Sequence, residues 1–138
     1  MGCGKMLILD THVLVWLDEG SSQLGKSALK RIDNALAMGE LGVATITFWE
    51  IAMLVEKGRL SMKAELDIWR TELLSAGLVE IPLQGPSAIR AGQLATFHGD
   101  PADRMIVATA IENSAELITA DEKILSWNRY HHTIDARL

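Results

Sequence analysis

Short apolar runs alternate with longer stretches of helical spacing along the chain, and nothing else in the sequence limits the fold so strongly. The runs "KMLILD", "LGVATIT", "LVEIPL" and "ELITA", with "HHTIDA" near the end, are too short for helices and read as strands. Between them, "THVLVWLDEG", "LGKSALKRIDNALAMGE", "FWEIAMLVEKGRL", "KAELDIWRTELLSAG", "GPSAIRAGQLATFHG", "DPADRMIVATAIENSA" and "DEKILSW" read as helices. One apolar stripe is Leu24, Ala28, Ile32, Ala35 and Leu36, and another is Leu66, Trp69, Leu73 and Leu74. This alternation predicts an α/β fold of three layers, with helices on both faces of a central parallel sheet of four to five strands. The carboxyl ends of the strands form the functional edge of such a sheet.

A chain of 138 residues with 49% hydrophobic and 22% charged residues suits a single domain over 1–138, large enough to bury a core without disulfides or a structural metal. The opening "MGCGK" reads as a disordered leader over residues 1–5, and Met6 departs from the Ser or Thr of a myristoylation signal. Cys3 is the only cysteine, which excludes an internal disulfide and a cysteine zinc site and favours a reducing, cytoplasmic setting. No apolar run approaches the roughly 18 residues of a membrane span. A net charge of -5 argues against general nucleic-acid affinity, yet leaves room for a nucleic-acid phosphate bridged by a cation.

Four acids stand at strand-to-helix junctions. Asp10 ends "KMLILD", Glu50 lies in the first turn of "FWEIAMLVEKGRL", Asp103 opens the helix of "DPADRMIVATA", and Asp121 follows "ELIT". Each has a local explanation. Asp10 fits an N-cap, Thr47 with Glu50 and Thr119 with Glu122 fit capping boxes, and Asp100 before Pro101 fits an N-cap that puts Asp103 at the third helical position. Together they strain that explanation, because all these junctions open on one edge of the sheet. Two carboxylates about 4 Å apart repel by roughly 4 kcal/mol at an effective dielectric near 20, so acids gathered there must bind protons or cations. Oxygen donors alone select a hard ion, Mg2+ or Mn2+.

The run "ILDTHVLVWL", the acid within "ITFWEIAMLVEKGRL", the segment "HGDPADRMIVATA" and the ending "LITADEKI" resemble, in order and spacing, the PIN-domain ribonucleases, specifically the VapC toxins of bacterial type II toxin-antitoxin pairs. The resemblance covers nearly the whole chain from Met6 onward. It implies a PIN-like fold whose acidic quartet, by position Asp10, Glu50, Asp103 and Asp121, binds one or two Mg2+ or Mn2+ ions and hydrolyses single-stranded or looped RNA. Asp10 and Asp103 carry the clearest motifs. Asp100 is a cap, a supporting group or a ligand in place of Asp103, and Asp103 is the residue expected to touch the ion. Thr11 and Thr119 match hydroxyl residues that orient carboxylates or water in the family. A cognate VapB-like antitoxin is also implied, with a homodimer that it joins into a heterotetramer or larger assembly.

The chemistry expected of such a site is in-line attack of an ion-activated water on a phosphodiester, leaving a 5′-phosphate and a 3′-hydroxyl. Arg104 suits a pair with a neighbouring acid or, as the second choice, a substrate phosphate. His12 and His98 flank the acids, although surface or packing roles are commoner for such histidines. Trp16, Trp49, Trp69 and Trp127 offer stacking platforms for bases, but three of the four sit at helical spacing among apolar residues, which favours packing. The apolar pair "FWEIAMLVEKGRL" and "IWRTELL" is the candidate groove for an antitoxin helix.

The competing reading is a noncatalytic PIN-like binding module whose acids only cap helices. Two other folds rank lower. A phosphatase of the haloacid dehalogenase type wants an aspartate where His12 stands, and a dinucleotide-binding fold wants a glycine-rich first turn that "LDTHVL" lacks.

Overall fold

The computed structural model describes residues 5–97, 99–127, 129–130 and 132–138. Four of the five residues of the expected leader, and His98, lie outside the described residues. The chain runs β1 (Leu7–Leu9), α1 (Thr11–Glu19), α2 (Lys26–Ala37), β2 (Leu41–Ala44), α3 (Thr45–Glu56), α4 (Leu66–Ser75), β3 (Val79–Ile81), α5 (Gly85–Gln93), α6 (Pro101–Glu112), β4 (Glu116–Thr119), α7 (Glu122–Leu125) and β5 (Thr133–Asp135). The five strands form one parallel sheet in the order β3-β2-β1-β4-β5. Among the described residues, no helix is long and apolar enough to cross a membrane.

The three layers follow from the twofold alternation of strand side chains. Leu7 and Leu9 of β1 face a core shared with Leu41, Val43 and Ile118 of neighbouring strands and with Val13, Leu14, Ile32, Ile51 and Trp69 from helices α1 to α4. Ile8, between them, faces the opposite core, where Leu117 and Ile81 meet Ile106, Val107 and Ala110 of α6, together with Phe97, Ile124 and Trp127. Both faces of β1 are therefore dry, which is why "LIL" carries no polar residue. Gly42 lets β2 close on its neighbours: a Cβ there would run into the side chains of Ile81 and Met6.

The order of strands places the site. From β1 the chain builds β2 and β3 on one side, then crosses back to build β4 and β5 on the other. The reversal falls between β1 and β4, and the crevice beyond the carboxyl ends of strands at such a point is the natural place for a ligand.

Among the expected boundaries that move, two lie beside the site. The strand expected through Thr47 stops at Ala44, and α3 begins at Thr45. The ladder runs out there: β1 pairs only as far as Val43 and β3 only as far as Ala44, so β-branched Thr45 to Thr47 have no strand to extend against. Thr45 instead donates its hydroxyl to Glu80 Oε2 at 2.7 Å. The helix expected through Gly99 ends at Gln93.

Candidate active site

Pairing of Leu9 with Ile118 brings the next residues of the two strands, Asp10 and Thr119, out of the sheet side by side. Asp10 is 5% exposed, and both of its carboxylate oxygens are held: Oδ1 accepts from Thr11 N at 2.9 Å and Oδ2 from Thr119 Oγ1 at 2.6 Å. Burial raises its pKa, and the bonds from Thr119 and Thr11 act against that rise by favouring the charged form. Asp10 is thus the N-cap of α1 and a site carboxylate at once.

Glu50 does not open α3. Because the helix starts at Thr45, Glu50 stands in the second turn, and the expected capping box with Thr47 does not form. Thr47 Oγ1 lies 3.1 Å from Thr11 Oγ1, both fully buried. Glu50 is 7% exposed, and its Oε1 is buried without a hydrogen-bond partner among the described residues. Burial pushes its pKa up, Asp10 and Asp100 push it further, and the Thr11 hydroxyl opposes them.

Asp100 caps α6 as expected, with Oδ1 accepting from Asp103 N at 3.0 Å. That cap orients the first turn and sets Asp103 toward the other acids. Carboxylate oxygens of Glu50, Asp100 and Asp103 all lie within 4.8 Å of one another. Burial, then repulsion from Asp10, Asp100, Asp121 and Glu50, pushes the Asp103 pKa up to about 8. Asp100 therefore belongs to the acidic cluster as well as to the cap.

Asp121 is the N-cap of α7, its Oδ1 accepting from Lys123 N at 2.8 Å. This replaces the capping box expected of Thr119 and Glu122. Thr119 Oγ1 accepts from Asp121 N at 3.0 Å while donating to Asp10, and the Glu122 carboxylate pairs with Arg137 at 2.7 Å.

Asp10, Glu50, Asp100, Asp103 and Asp121 line one cavity of about 470 Å3. His12, Trp16, Lys123 and Arg137 line it too. The donor set is oxygen throughout, suited to a hard divalent ion, and the Glu50 Oε1, buried without a partner among the described residues, is an acceptor that such an ion would satisfy. Lys123 and Arg137 were not singled out by sequence, since neither spacing nor composition marks a cation that only the tertiary fold brings to the cavity.

Arg104 makes no ion pair with an acid among the described residues. Its guanidinium donates to three carbonyls, Ala91 O at 2.9 Å, Phe97 O at 2.8 Å and Leu94 O at 3.3 Å, and so clamps the end of α5 and the loop leading to Asp100. Three free carbonyls in one bend match the planar fork of an arginine better than one carboxylate would. Among the tryptophans, Trp69 and Trp127 are buried as packing residues, Trp49 is 52% exposed, and Trp16 is half-buried at the cavity.

The profile of the PIN domain family matches residues 7–129. Over 120 residues the chain is 32% identical to Ribonuclease VapC22 of Mycobacterium tuberculosis, covering 87% of this chain and 90% of that protein. Two solved structures share the fold. A toxin-antitoxin complex from Klebsiella pneumoniae superimposes with a TM-score of 0.62 at 20% identity, covering 94% of this chain and 97% of its counterpart. A DNA-bound VapBC from Salmonella typhimurium does so with a TM-score of 0.66 at 17% identity, covering 91% and 94%.

Proposed function

Since the chain belongs to the PIN domain family, we propose that it is the toxin of a toxin-antitoxin pair, an endoribonuclease that hydrolyses RNA with Mg2+ or Mn2+. The observation that carries this reading is the convergence of acids from four separate junctions, with Asp100, on one cavity. Helix capping explains Asp10, Asp100 and Asp121 locally. It does not explain a buried Glu50 oxygen without a partner among the described residues, or an Asp103 pKa pushed up to about 8 by burial and by its acidic neighbours.

Asp10, Glu50 and Asp103 would hold the ion, with Asp121 on the same cavity. When bound, the ion supplies activation of a water and neutralisation of charge on the phosphodiester. The protein's own groups prepare the cavity for it. Thr119 and the Thr11 amide fix the Asp10 carboxylate. The Asp100 cap fixes the turn bearing Asp103. Burial and the neighbouring acids raise the Asp103 pKa to about 8, so its carboxylate would have to lose a proton to hold a cation.

The partner we propose is a VapB-like antitoxin. The relative is a VapC ribonuclease, and the superimposing structures are a toxin-antitoxin complex and a DNA-bound VapBC. Trp49 of α3 and Ile68 of α4, each 52% exposed, offer apolar contacts along the two helices expected to receive it. A homodimer, assembled with antitoxin into a heterotetramer or larger, belongs to the same reading.

The deciding experiment incubates the purified protein with total RNA plus Mg2+ or Mn2+ and maps the ends. Cleavage that leaves 5′-phosphate and 3′-hydroxyl ends, stops with chelator and is lost in Asp10→Asn and Asp103→Asn is the expected result. Cyclic phosphate ends, or equal cleavage by the variants, would overturn it.

A further inference from the structure

A cavity lined by five carboxylates has to receive a polyanion, so the positions of the few cations around it matter. Lys123 and Arg137 are the lysine and arginine that line it. Lys123 stands two residues beyond Asp121, and its backbone N–H is bonded to the Asp121 carboxylate at 2.8 Å, so α7 presents an acid and an ammonium to the same space. Among the described residues, Lys123 Nζ makes no ion pair.

Arg137 is held in place. Nε and Nη2 donate to Asp135 Oδ1 and Oδ2, each at 2.9 Å, and Nη2 also pairs with Glu122 Oε1 at 2.7 Å. Those contacts occupy the hydrogens of Nε and Nη2 and leave the two on Nη1 without an acceptor among the described residues. A guanidinium fixed by two carboxylates has already lost the side-chain freedom that a flexible arginine gives up on binding. Its free edge suits a phosphate oxygen.

We propose that Lys123 and Arg137 form a phosphate subsite beside the acids, gripping the RNA backbone next to the scissile phosphate, with Trp16 as a stacking face for an adjoining base. The cavity then divides its labour: carboxylates and their cation take the reacting phosphate, and the two side-chain cations hold its neighbour. An acidic peptide fits the space less well, because its carboxylates would meet five others without the chain of phosphates that the divided charge matches. This subsite rests on RNA being the substrate.

The test is the kinetics of cleavage of a single-stranded RNA oligonucleotide at several salt concentrations, by wild type, Lys123→Gln, Arg137→Gln and Trp16→Leu. Binding of the same labelled oligonucleotide is followed by anisotropy in the Asp103→Asn background. Each cation variant is expected to raise KM about tenfold with kcat changed by less than about twofold. The slope of log KM against log salt should fall by about 0.7 per lost contact. Trp16→Leu should raise KM about tenfold without changing that slope. Should Arg137→Gln fail to fold, the exposed Lys123→Gln carries the test alone.

An unchanged KM and salt slope in Lys123→Gln, in an enzyme that cleaves, overturns the subsite only. Unchanged KM with weakened capture of the co-expressed antitoxin assigns the cations to a protein interface and likewise overturns it. A wild type that neither cleaves nor binds RNA removes the reading beneath it.

Discussion

Thr119 Oγ1 donates to Asp10 Oδ2 at 2.6 Å across 109 residues of sequence, joining β4 to β1 where the chain reverses across the sheet. Both residues are buried. Thr119→Val keeps the shape and removes the hydroxyl, leaving Asp10 Oδ2 and the Asp121 amide without their partner. A loss of about 2 kcal/mol in urea unfolding is expected, with weaker divalent-ion binding by calorimetry, while Thr119→Ser stays near wild type.

The pH dependence of the metal-free protein has a definite sign. The Asp103 pKa lies at about 8 in the folded chain, against 3.8 for the free side chain. Between those values the folded chain holds a proton that the unfolded chain has released, so stability falls as pH rises through the window. Asp103→Asn removes this pH dependence. Thermal melts in chelator should show the variant gaining little at pH 4 and most at pH 8. Added Mn2+ should raise the wild-type midpoint at pH 8 and leave that of the variant nearly unmoved.

Removing the Arg104 clamp frees three carbonyls at once. Arg104→Ala is expected to cost about 3 kcal/mol and to speed amide exchange in residues 94–97, and Arg104→Lys should not restore either, because a single ammonium cannot span the three acceptors. Exchange confined to the wild-type rate in both variants would show that the loop holds itself.

Gly25 sits under the end of the chain, where a Cβ would overlap the Leu138 carbonyl. The same segment is tied to α2 by Gly25 N to Ala136 O and Ala28 N to Leu138 O, each 2.9 Å. Gly25→Ala should cost about 1–3 kcal/mol in urea unfolding by forcing the segment away. Because Arg137 lies within it, KM for RNA should rise along with that loss.

Much of this was legible before any tertiary contact was known, because it depends on local rules. Apolar runs of strand length, helical spacing between them and Gly or Pro punctuation determined the three-layer parallel architecture, and the acids at the junctions marked its working edge. Asp100 was readable as a cap from Pro101 alone. The tertiary structure decided what depends on register and on where a ladder ends. Loss of strand partners after Ala44 moved the start of α3 and carried Glu50 from a capping position into the buried cluster. Pairing of Leu9 with Ile118 put Thr119 on Asp10 instead of on a capping box. Arg104 found three carbonyls instead of an acid, and Lys123 of α7 and Arg137 beyond β5 reached the cavity only through the tertiary fold. Periodicity is a property of neighbours along the chain; the partner of a buried polar group is set by neighbours across the sheet, which periodicity does not encode.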